Sequence, residues 1–116
     1  MKRSARELLG WLDRPKLFHP GAREYRLLRA QETIEKIKRV YQGEFLLFEY
    51  QRERICGRFI TALEGEIAGT YTVVLKISSS RICSGPCGVR LGGKLVDGII
   101  STGAGGFVEI TVRAEI

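Results

Sequence analysis

Cys56, Cys83, Cys87 and His19 have the strongest claim to chemistry in this chain. Three thiolates and an imidazole make a zinc site if they converge, and Cys83-Ser-Gly-Pro-Cys87 has a spacing that a zinc knuckle permits. The sequence holds no second cysteine pair. The same spacing therefore also reads as a disulfide between Cys83 and Cys87, or as two free thiols at a Gly-Pro turn with Cys56 a small buried hydrophobe. His19 stands before Pro20, and no third group marks an orienting partner for a Cys or Ser nucleophile. The expectation is a chain with no metal, no cofactor and no catalytic residue, and with Cys83 and Cys87 as a candidate disulfide.

Two further chemistries fail on context. The glycines of LGGKL and STGAGGF are each followed by strand pattern, whereas a phosphate cradle needs a helix N-terminus there. They read as corners, with Gly92-Gly93 a tight hairpin and Gly103 to Gly106 a looser one. Glu64, Glu66 and Asp97 lie in or near turns, where solvated acids normally sit, so no glycosidase pair is indicated.

Charge is more informative. Residues 1–42 hold eleven Lys or Arg against five acids, and residues 43–116 hold eight against eight, so the whole net charge of +6 resides in the N-terminal third. A basic arm beside a neutral body suits an acidic protein surface or nucleic acid. Arg23, Arg26, Arg29, Lys36, Lys38 and Arg39 are the candidate contacts, with Tyr25 available for stacking. No zinc finger, RNP motif or helix-turn-helix signature accompanies them, so nucleic-acid contact would be non-specific.

The elements that carry these residues follow from periodicity. Ser4 and Glu7 form a capping box, and Ala5, Leu8, Leu9 and Leu12 make one apolar stripe before Asp13-Arg14-Pro15 ends the helix. After the connector KLFHPG, a second helix is expected from about Ala22 to Gln42. Leu27, Ala30, Ile34, Ile37 and Tyr41 recur on it at spacings of three and four, a packed seam. Glu32 to Lys36 and Glu35 to Arg39 are favourably ordered i,i+4 pairs on its opposite face. The seam packs either on the β body or on a neighbouring subunit. Leu8, Leu12, Leu27, Ile34, Ile37 and Tyr41 are accordingly the candidate assembly interface.

From Gly43 the period changes to two. EFLLFEYQ, RFITALE and TYTVVLKIS read as strands, followed by a loop at SSSRICSGPCG and short strands around Val89–Leu91 and Leu95–Ser101. The last strand turns Val108, Ile110, Val112, Ala114 and Ile116 to one side. About six strands at short, even intervals argue for an antiparallel sandwich or small barrel, not βαβ units. The expected fold class is α+β: a basic arm of two helices over residues 1–42, then a mainly antiparallel, jelly-roll-like β-sandwich over residues 43–116.

At 116 residues and 13.0 kDa the chain suits one core with an appendage. No apolar run approaches the ~20 residues of a membrane span, and the N-terminus is broken by Arg, Glu and Asp, unlike a signal sequence. There is no Asn, one Met and three Gln, a depletion of thermolabile side chains that leans toward a thermophilic source.

The run GTYTVVLKISSSR, a loop, GVRLGGKLVDG and then GFVEITVRAEI resembles the C-terminal half of jelly-roll modules from tailed-phage virion proteins and carbohydrate-binding appendages. The resemblance implies a structural subunit, a capsid, neck or tail component of a virion. Joined to the composition and the lack of a catalytic constellation, the expectation is a non-enzymatic component of a thermophilic phage or virus, found in the virion or host cytoplasm. Such a subunit would homo-oligomerise or join a larger protein assembly through its N-terminal helices. The alternatives are a monomeric carbohydrate- or ligand-binding β module and a basic nucleic-acid-binding protein.

Overall fold

The computed structural model describes residues 22–114, so the capping box at Ser4, the first apolar stripe and His19 lie outside the described residues. One helix, α1 (Ala22–Tyr41), precedes six strands: β1 (Phe45–Tyr50), β2 (Glu53–Glu64), β3 (Thr70–Lys76), β4 (Ser84–Leu91), β5 (Lys94–Thr102) and β6 (Phe107–Arg113). All neighbours are antiparallel, and the sheet closes on itself in the order β1-β2-β3-β6-β5-β4. The body is therefore a closed barrel, and the expected sandwich is corrected. Alternation along a strand determines which face is buried; it does not determine which strands are neighbours.

Inward residues alternate as the strand period demands. Leu46 and Phe48 on β1, Val73 and Leu75 on β3, and Val108 and Ile110 on β6 are at most 2% exposed. A six-stranded barrel is too narrow for a lumen, so these side chains are its interior. Gly98 lets β5 lie close to β6. A Cβ there would stand 2.9 Å from Ile110 Cγ2 and 3.0 Å from the Thr111 carbonyl oxygen.

The two ends are closed differently. The starts of β1, β3 and β5 and the ends of β2, β4 and β6 share one end, and α1 lies across it. Arg26 rests against Gly69 in the β2–β3 turn, and Tyr41 Oη accepts the Gly92 amide of the β4–β5 turn at 2.8 Å. Between these anchors Ala30, Ile34 and Ile37 are buried in the barrel core. At the opposite end the connection from β3 to β4 runs between strands on opposite sides of the barrel, and Arg81 within it pairs with Glu53 and lies over the Tyr50 ring.

Two strands extend beyond their expected limits. β2 begins at Glu53 because Gln51 and Arg52, with φ of 51° and 68°, make a two-residue turn in a left-handed conformation usually left to Asn-Gly. β4 begins at Ser84 and runs through Pro86, which pairs with Ile99 of β5. On its other side β4 meets β1 only at Phe48↔Val89 and Glu49↔Gly88. Its first half lacks a β1 ladder, the situation in which a strand tolerates proline.

Ile34→Ala opens a cavity where the helix seals the barrel, and a loss of about 2–4 kcal/mol is expected in denaturant unfolding. Replacing Gln51-Arg52 by Asn-Gly relieves two left-handed non-glycine residues and should raise stability by about 1–2 kcal/mol in the same assay.

Candidate functional site

The sequence-expected contacts on α1 separate into two faces. Ile34 and Ile37 are 6% exposed, Leu27 is half-buried, and Tyr41 packs on the core with its ring centroid 6.3 Å from that of Phe59. This part of the candidate assembly interface faces the barrel of its own chain, because an end with exposed core side chains needs an apolar cover. Leu8 and Leu12 lie outside the described residues.

On the other face Arg23, Arg26, Lys36 and Arg39 are exposed, while Arg29 and Lys38 are half-buried. Arg29 pairs with Glu32 at 3.3 Å and Lys38 with Glu35 at 4.0 Å, in i,i+3 contacts rather than the i,i+4 pairs expected from sequence. Tyr25 is 49% exposed. Gln31 Nε2 donates to Glu64 at 2.7 Å, tying the helix flank to the end of β2.

The cysteines do not form the candidate disulfide. Cys56, Cys83 and Cys87 are all free thiols. Cys83 and Cys87 are four residues apart along one extended run, hence about 13 Å apart at ~3.3 Å per residue, whereas a disulfide needs its Cα atoms within about 7 Å. Both are buried, and burial, with smaller contributions from Cys83 and Asp97, pushes the Cys87 thiol from 9.0 up to about 11. Cys56 points outward on β2 and is exposed. No group of three or more His, Cys, Asp or Glu is placed to hold a metal ion among the described residues. Gly92 and Gly93, with φ of 60° and 81°, form the two-residue corner between β4 and β5. Glu64 and Asp97 lie on different strands, β2 and β5.

The outer wall carries an arrangement that the sequence reading missed. Phe45 pairs with Arg58, Arg58 with Lys76, and Lys76 with Phe107. The four outward side chains make one row across β1, β2, β3 and β6. The Arg58 guanidinium stands 5.8 Å from the Phe45 ring centroid and the Lys76 ammonium 5.1 Å from that of Phe107, both within cation–π range. Phe45 is 61% exposed and Phe107 36%. The row was illegible because its members are spread from residue 45 to residue 107 and meet only through barrel pairing.

Fold and wall define a small, helix-capped, closed antiparallel barrel with an aromatic and cationic stripe. No family model matches the chain, and no curated protein and no solved structure matches it significantly. No helix among the described residues is long and apolar enough to cross a membrane.

Thiol labelling at neutral pH with an aromatic disulfide reagent should modify about one thiol per native chain, Cys56. Rapid modification of all three without denaturant would contradict the burial of Cys83 and Cys87. The raised Cys87 value also has a signed consequence: the folded thiol holds its proton to higher pH than the unfolded one, so stability should fall between pH 9 and about 11. Cys87→Ala should flatten that fall in unfolding measured against pH.

Proposed function

We propose that the protein is a non-enzymatic assembly subunit that docks on further copies of itself through the capped end of its barrel. The observation that carries this reading is the set of apolar side chains left in solvent there. Tyr25 and Leu28, at i,i+3 on α1, are 49% and 51% exposed. Leu63 and Ile67, at the adjoining β2–β3 hairpin, are 54% and 72% exposed. Single exposed apolar residues are ordinary, but a group of four on elements already tied together by Gln31 and Glu64 is a candidate contact surface.

Arg23, Arg26 and Arg29 lie within a turn of Tyr25 and Leu28 on α1 and suit acidic groups on a neighbour. The narrower reading, a capsid, neck or tail component of a phage or similar virus from a thermophilic source, rests on the basic arm beside a neutral body and on the amino-acid composition. With a closed barrel in place of a sandwich, the jelly-roll resemblance lends it no architectural support.

The test is absolute mass by light scattering on a size-exclusion column, at low and high salt. The full chain should run as a defined oligomer that persists in high salt, and Leu28→Glu with Ile67→Glu should reduce it to the monomer without loss of folding. A wild-type monomer in both buffers would sink the reading. Deleting residues 1–42 is a poor substitute, because it would also strip Ile34 and Ile37 from the barrel core.

A further inference from the structure

We propose that the outward row Phe45, Arg58, Lys76 and Phe107 is a binding site for single-stranded nucleic acid. The inference is independent of the assembly surface at the capped end. It rests on the order of side chains along the row: ring, cation, cation, ring. Four adjacent strands at ~4.8 Å spacing set the first and last backbone positions of the row about 14 Å apart along the curved wall, with both positive charges between them. Single strands are bound by this combination, aromatic faces for unstacked bases and cations for the intervening phosphates.

Each ring–cation pair is a cross-strand contact of modest worth at the surface, but Arg58 opposite Lys76 sets like charges side by side, which the fold alone does not reward. All four side chains face solvent on the barrel wall, so their contribution to the core is small. No acid stands in the row. Glu109 stands two residues along β6 from Phe107 on the same outward face, and Glu49 on β1 lies 3.9 Å from Arg54. The cations rest on the rings in the free protein, and both are long flexible side chains able to move to a phosphate while a base takes the ring face.

Other occupants fit less well. A second copy presenting the same row would bring Arg58 and Lys76 against their like. An acidic peptide would satisfy the two cations and leave the ring faces without a partner. A duplex keeps its bases stacked inside, so it offers phosphates alone.

Fluorescence anisotropy of a short labelled oligothymidylate, titrated with the full chain at low salt, tests the assignment. Phe45→Leu and Phe107→Leu, which keep apolar bulk and remove the ring, should each weaken binding about 5- to 100-fold. The pair Arg58→Ala with Lys76→Ala should lower the slope of log affinity against log salt by about 1.4, at ~0.7 per phosphate contact in a single strand. Arg113→Ala, exposed on β6 away from the row, should change little, and all variants should keep the wild-type circular dichroism. Absence of binding at low salt would overturn the proposal, as would binding indifferent to the row variants. Displacement by polyglutamate as effective as by unlabelled oligothymidylate would assign the row to an acidic protein partner, and equal affinity for duplex would remove the stacking role of the rings.

Discussion

The closure between β1 and β4 is the contact on which the rest of the molecule depends. It is short, two residue pairs, Phe48↔Val89 and Glu49↔Gly88, and β4 continues past it without a backbone partner on that side. Tyr50 takes over where the ladder stops: its hydroxyl donates to the Ser84 carbonyl at 3.0 Å and accepts the Ser84 amide at 3.1 Å. One side chain thereby satisfies both backbone groups of a residue that the sheet would leave open. Without closure β1 and β4 would be free edges, with the exposed ladder groups that invite pairing between chains.

Closure determines where function can reside. The inner face is filled by side chains, one end is sealed by α1 and the other is crossed by the β3–β4 connection. The outer wall and the rim of the capped end remain. The wall gains its stripe from the same pairings that close the barrel, since Phe45, Arg58, Lys76 and Phe107 are neighbours only because β1, β2, β3 and β6 are consecutive in the ring. The rim gains its apolar group because the helix that covers the core must turn its other side outward.

Local periodicity made much of this legible. The inward set Tyr71, Val73, Leu75 and Ile77 and the set Val108, Ile110, Val112 and Ala114 are all buried, and α1 ends at Tyr41, beside the expected Gln42. The failures have physical causes. Gln51-Arg52 lacks the residues that normally adopt a left-handed two-residue turn, so the first half of β2 passed for loop. Gly85-Pro86 looks like a strand breaker, yet Pro86 sits where β4 has no β1 partner. The candidate disulfide paired cysteines by spacing alone, and an extended strand holds that spacing too far apart. Barrel closure and the cation–aromatic row are long-range consequences of strand order, which no local window contains.

Native-state hydrogen exchange resolved by residue tests the closed barrel most directly. The Ser84 amide and the amides of the β1–β4 seam should exchange as slowly as those of β3, through global unfolding, and Tyr50→Phe should speed exchange at Ser84 while β3 stays protected. Seam amides exchanging orders of magnitude faster than β3 in the wild-type chain would mean an open sheet with β1 and β4 as edges. In that event the wall, its row and the capped end would all have to be reassigned.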